Sequence, residues 1–164
     1  MKSKNPLFLL LALLLLILIF LFLKFAGRNE FNIPVFHEQG VMDTTSMCDR
    51  VSDKPYTVRR WKGMPEKAWR PANVVLFPQE GFDPLKAISR LGEEFNSEEL
   101  SVIDACRLDS AECARWRRCV FYAPGTRETI LFDKSGRIRG YYDLRTREEE
   151  DRLRVELKIL LKRY

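Results

Sequence analysis

The feature that most constrains this chain is the unbroken apolar run from Leu7 to Leu23, 17 residues of Leu, Ile, Phe and Ala. With Pro6 in front, and Phe25 and Ala26 beyond Lys24, it reaches the roughly 20 residues that span a hydrocarbon core as a helix. A cleaved signal peptide is the rival reading, because the run is N-terminal and follows Lys2 and Lys4. Its apolar part exceeds the usual signal core of about 7–15 residues, and no Ala-x-Ala site follows it. The expectation is a retained signal anchor over 1–26, a single transmembrane helix contacting the lipid bilayer through residues 7–26. Flanking charge favours the N-terminus inside. The expected localisation is therefore a bacterial-type inner membrane, single-pass, with a cytoplasmic N-terminus and a periplasmic C-terminal domain.

Charge separates the same two parts. Residues 1–28 carry Lys2, Lys4, Lys24 and Arg28 and no acid, whereas the other 136 residues hold 24 basic and 23 acidic side chains. The net charge of +5 therefore belongs to the N-terminus, and nucleic-acid binding by bulk charge is excluded. Arg59-Arg60-Trp61-Lys62 and Arg115-Trp-Arg-Arg118 interleave bases with aromatics, as a single-strand groove does. On a near-neutral exported domain they read better as solvated surface or as contacts to an unidentified membrane or periplasmic protein.

Residues 27–69 read as an irregular tether. The stretch contains Pro34, Pro55 and Pro65 and keeps no sustained helical or strand period, although short extended pieces fit Ile33–Phe36 and Tyr56–Trp61. Residues 70–164 have the length of one domain. Asn73–Phe77 is a continuous β-branched and aromatic run, the pattern of a strand buried on both faces. Asp83-Pro84 reads as a helix start with Asp83 as cap, and Leu100–Cys106 as a second strand parallel to the first. Asp109–Trp116 suits a short helix and Cys119–Tyr122 an extended piece. Thr129–Asp133 and Arg137–Asp143 read as a hairpin whose loop ends in Gly136. Thr146 and Glu149 form a capping box for a last helix with Leu153, Leu157, Leu160, Leu161 and Tyr164 on one face. The expected fold class is α/β, a thioredoxin-like domain with a central mixed sheet and flanking helices behind the N-terminal transmembrane helix.

The segment Ile130-Leu-Phe-Asp-Lys-Ser-Gly-Arg-Ile-Arg-Gly-Tyr-Tyr-Asp143, with Glu148–Leu153 and Leu157–Leu161 after it, resembles the C-terminus of the SCO/SenC family. Asn32-Ile-Pro-Val-Phe36 resembles a stretch found beyond the anchor in some bacterial members. The resemblance implies a membrane-anchored, thioredoxin-like protein of copper delivery and cytochrome oxidase assembly. It also implies a Cys-x-x-x-Cys after the first core strand and a distal His before the hairpin. Here Phe77-Pro-Gln-Glu-Gly-Phe-Asp-Pro84 follows that strand without Cys, and Tyr122–Glu128 contains no His. None of the three copper ligands carries over, so the chain reads as a divergent member without the family's site.

Four cysteines and one histidine hold the remaining chemistry. Cys48, Cys106, Cys113 and Cys119 match neither zinc spacing nor a C-x-x-C motif. In an oxidising compartment they suit structural disulfides, with Cys106–Cys113 ahead of Cys113–Cys119 and a bridge from Cys48 as the main alternative. A copper(I) thiolate site using Cys106, Cys113 or Cys119 is a competing reading, as is His37 paired with Cys48. A reactive thiol near Arg115, Arg117 and Arg118 is a third. The sequence offers no phosphate loop, no nucleophile–base set and no paired carboxylates, so no catalytic or cofactor-binding residues are assigned. The favoured function is a non-catalytic binding or assembly accessory without bound cofactor. SCO-type copper or thiol handling with a relocated site is the first alternative, and a thiol–disulfide oxidoreductase the second.

Overall fold

The computed structural model describes residues 6–26, 32–41, 48, 53–58, 69–78, 81–108 and 111–162. The chain divides into two units, Met1–Phe31 and Asn32–Tyr164. In the first, α1 (Pro6–Ala26) is a helix of 21 residues. Among the described residues, however, no helix is long and apolar enough to cross a membrane. The expectation of a transmembrane helix over 1–26 is corrected accordingly. The single-pass inner-membrane localisation and the bilayer contact of residues 7–26 lose the basis on which they were read.

The second unit is α/β. In chain order it contains β1 (Ala72–Leu76), α2 (Leu85–Gly92), β2 (Leu100–Asp104), α3 (Ala105–Leu108), α4 (Cys113–Cys119), β3 (Thr129–Asp133), β4 (Ile138–Tyr142) and α5 (Arg147–Leu160). One mixed sheet runs in the order β2-β1-β3-β4. β1 lies parallel to β2, with Val74 beside Val102, and antiparallel to β3, with Val74 beside Leu131. Every residue of β1 is buried, the polar Asn73 included, and the apolar run from Val74 onward predicts this for a central strand under helices on both faces.

The two faces hold separate cores. Val74, Leu76, Leu131 and Tyr142 pack against Ile88 and Leu91 of α2, Phe95 just beyond it, and Leu153 and Leu157 of α5. Val75, Phe77, Ile103, Ile130, Phe132, Ile138 and Tyr141 pack against Trp116 of α4, Phe121, Tyr56 and Val58. Tyr141 and Tyr142 reach opposite cores because consecutive strand residues point to opposite faces. Ile138 and Tyr141 share a face despite their odd spacing, because the β3–β4 register shifts between Leu131 and Phe132.

Local chemistry sets the ends of these elements. Gly136 closes the β3–β4 loop at φ +81°, a conformation that carries little strain only without a Cβ. Asp133 organises the same loop. Its Oδ1 accepts from Ser135 N at 2.8 Å and Arg137 N at 3.1 Å, and its Oδ2 from Arg137 Nε at 2.9 Å. Thr146 caps α5 by accepting from Glu149 N at 3.4 Å, which is the capping-box bond on the Thr side.

Two local expectations are corrected. At α2 the N-cap position belongs to Pro84, already helical, and no side chain caps it; Asp83 stands one residue too early. Cys119 ends α4 and Val120 follows in a turn with its N–H on Trp116 O, so Cys119–Tyr122 is not a strand.

Residues 32–41 and 53–58 form no helix or strand, yet they are part of the domain. Ile33, Tyr56 and Val58 are buried. Phe36 N donates to Ile138 O at 2.9 Å, and Val58 N to Gly136 O at 2.7 Å. Arg139 Nη2 donates to Ile33 O at 2.6 Å. This strap lies along β4, the outermost strand on that side.

Candidate functional site

In open α/β sheets ligands gather at the carboxyl ends of the parallel strands. Here that end is the region after Leu76 of β1 and Asp104 of β2. Phe77 is buried edge-on against Phe121, centroids 5.5 Å apart, and its N–H donates to Glu128 O at 2.7 Å. The residue that directly follows β1 is therefore a packed aromatic. Glu128 is buried beside it, and its Oε1 accepts from Leu144 N at 2.7 Å. Burial pushes this carboxyl above its ordinary range, partly opposed by the bond from Leu144. Glu128 anchors the chain as it leaves β4.

All four cysteines are in disulfides, Cys48–Cys119 and Cys106–Cys113. Cys106 lies in α3, directly after β2, and Cys113 opens α4. In this state none of the four presents a thiolate to copper(I). Nor is Cys48 available as a metal partner for His37, because its sulfur is bonded to Cys119. Among the described residues no group of three His, Cys, Asp or Glu side chains forms a metal cluster.

The side chains with the most distinctive arrangement centre on His37. Its Nε2 lies 2.9 Å from Tyr141 Oη, while Tyr141 Oη donates to Phe121 O at 2.7 Å. A phenol has one proton. With that proton committed to a carbonyl, His37 must be the donor in its own bond, as the Nε2–H tautomer. Three tyrosines surround the imidazole edge-on, with centroids at 6.3 Å for Tyr56, 5.8 Å for Tyr122 and 6.2 Å for Tyr141. Tyr56 Oη donates to Val120 O at 2.6 Å, which ties the strap to the end of α4. His37 and Tyr122 both adopt positive φ, +60° and +49°, a costly conformation for non-glycine residues that tends to mark functional or over-determined positions. The His37 carbonyl accepts from both Gly40 N and Tyr56 N at 3.0 Å.

Burial lowers the His37 pKa and raises that of Tyr141, whose neighbours Tyr56 and Tyr122 add to the shift. Near neutral pH the cluster is uncharged, with one oriented imidazole among three tyrosines. Nothing in the sequence around His37 announces this. Tyr141 is 104 positions away, and only the pairing of the strap with β4 brings them together. No family model, no curated protein and no solved structure matches this chain.

The lowered His37 pKa has a testable sign. Protonation favours the unfolded chain, so His37 contributes stability that is present above its unfolded value of about 6.5 and lost as pH falls from there through its lower folded value. The urea midpoint of His37→Asn is expected to fall less on acidification across that range than the wild-type midpoint. Asn is chosen because it tolerates positive φ. Identical pH profiles for the two proteins would remove His37 from the acid response.

Proposed function

We propose that this chain is a disulfide-stapled accessory protein of an oxidising, extracytoplasmic compartment. On this reading it is a divergent relative of the SCO/SenC proteins that binds a partner protein and performs no copper or thiol chemistry of its own. The sheet order β2-β1-β3-β4, with α2 and α5 against one face and α4 against the other, supports a thioredoxin-like core. The observation that carries the reading is the fate of the thiols. All four are consumed in two disulfides, and Phe77 fills the place after β1 where the family pattern puts its ligands. Paired cysteines also suit an oxidising compartment.

Cys106–Cys113 is the one feature that favours a second reading. Reduced, it would place two thiols just past the end of β2, and soft thiolates suit copper(I) or disulfide exchange. One experiment separates the two. The protein as isolated and after reduction is titrated with copper(I) under anaerobic conditions, with thiols counted in parallel. Accessory function predicts no thiols before reduction and only weak copper binding after it. Stoichiometric, sub-nanomolar binding lost in Cys106→Ser or Cys113→Ser would replace this reading with the relocated copper site. Turnover of a model disulfide substrate by the reduced protein would replace it with the oxidoreductase.

A further inference from the structure

The two bridges are nested. In chain order the cysteines are Cys48, Cys106, Cys113 and Cys119, and the outer pair encloses the inner pair, with separations of 71 and 7. Taking the cysteines as they come along the chain would instead join Cys48 to Cys106 and Cys113 to Cys119. Cys113 is where the two patterns divide. It stands seven positions from Cys106 and six from Cys119. In an unfolded chain closures of these lengths differ only about 1.3-fold, in favour of the wrong partner.

Helix α4 makes the choice in the folded domain. Cys113 opens it and Cys119 ends it, so six steps of 1.5 Å hold their Cα atoms about 9 Å apart. A disulfide needs no more than about 7 Å. The native partners meet at 4.8 Å for Cys106 and Cys113, and at 5.2 Å for Cys48 and Cys119. A helix of seven residues, however, does not stand alone in water. The tertiary contact that secures α4 is Trp116, buried in the core that Phe121, Ile130 and Tyr141 share. Oxidation that precedes the docking of Trp116 meets no helix. Closing Cys113–Cys119 at that point then forbids both α4 and the burial of Trp116.

We propose that this chain reaches its native bridges by disulfide exchange, as a client of a thiol–disulfide isomerase in the compartment that oxidises it. This rests on the oxidising compartment of the functional reading, and on no statement about copper. The species to be corrected carries Cys48–Cys106 with Cys113–Cys119. The isomerase thiolate attacks Cys113 Sγ and expels Cys119 as a thiolate. Cys119 attacks Cys48 Sγ and expels Cys106. Cys106 then attacks Cys113 Sγ and returns the isomerase thiolate. Three S–S bonds break and three form, with no net oxidation or reduction. The formation of α4 and the burial of Trp116 draw the exchange to the nested pattern.

Peptide mapping of the full chain tests this. Reduced protein is diluted from urea into buffer with diamide, which supplies the oxidising equivalents and leaves no thiol, then alkylated and digested. Cys113–Cys119 is expected to be at least as abundant as Cys106–Cys113, and to persist until a thiol is added. An added isomerase is expected to convert it to the native pair of bridges faster than reduced glutathione at the same thiol concentration. Cys119→Ser removes the wrong partner and leaves Cys113 to choose between Cys106 and Cys48, about 65 positions away. Loop length then favours Cys106 roughly thirtyfold, so Cys106–Cys113 should form without any thiol, whether or not the variant folds. Native bridges as the main product of diamide alone in the wild type, or equal conversion by isomerase and glutathione, would overturn the proposal. None of these outcomes depends on whether the finished protein binds copper.

Discussion

Replacing Cys48 and Cys119 together by serine is expected to cost about 4 kcal/mol, roughly twice the cost of losing Cys106 and Cys113. The difference follows from the chain each bond closes. Cys48–Cys119 spans 71 positions, and Cys106–Cys113 spans 7. In the loop-entropy account these lengths correspond to about 4 and about 2 kcal/mol. The long bridge also adds a covalent tie to the strap. It joins the segment between the two strap pieces to the end of α4, one residue before Val120, whose carbonyl accepts from Tyr56. The strap supplies Ile33, Tyr56 and Val58 to the core, so releasing it weakens packing as well as the unfolded-state constraint. For a domain stable by about 5–15 kcal/mol, such a loss is a large fraction of the whole. Urea unfolding of the two double-serine variants decides the point. Equal costs, or a larger cost for the short bridge, would show that loop length does not govern these disulfides.

Local chemistry was legible in the sequence wherever it acts within a few residues. The run Asn73–Phe77 marked β1, Gly136 marked the hairpin loop, and Thr146 with Glu149 marked the start of α5, because β-branching, a positive φ and a capping bond are all short-range. The antiparallel pairing of β1 with β3 is not written in either strand; it depends on the path of 52 residues between Leu76 and Thr129. The strap escaped for a related reason. It has no helical or strand period to betray its burial, and its hydrogen bonds reach far along the chain, from Val58 to Gly136 and from Phe36 to Ile138. Asp83 misled because proline after an acid is a strong start signal, whereas the helix here begins at Leu85, with Pro84 at the cap position and no side-chain cap. The candidate site was the least legible part. Four cysteines allow three full connectivities and the sequence does not choose among them, and no local pattern joins His37 to Tyr56, Tyr122 and Tyr141.

Gly140→Ala, the addition of one methyl group to β4, is expected to destabilise the domain by roughly 3 kcal/mol, the upper part of the range for overpacking a core. Gly140 and Tyr142 are two residues apart on one strand and so project to the same face. A Cβ at Gly140 would lie inside the hydroxyl and ring of Tyr142. That ring is fully buried and held from several directions. Its hydroxyl donates to Glu156 Oε2 at 2.5 Å, and the Arg152 guanidinium stacks 4.6 Å from its centroid. Arg152 is itself fixed, donating to Glu149 Oε1 at 2.7 Å and to Tyr141 O at 2.6 Å. Tyr142 can make room only by giving up Glu156 and disturbing α5, which packs on the same core through Leu153 and Leu157. Gly92 provides the contrast. It ends α2 with open space where a Cβ would be, and Gly92→Ala should be neutral or stabilise by up to about 1 kcal/mol. The cause is separable from a general intolerance of β4. Tyr142→Ala removes the obstructing ring at its own cost, so Gly140→Ala added to it should cost much less than Gly140→Ala alone. A double-mutant cycle measured by urea unfolding reports that coupling directly. A Gly140→Ala protein as stable as Gly92→Ala, or additive costs in the cycle, would show that Tyr142 is not what requires glycine at this position.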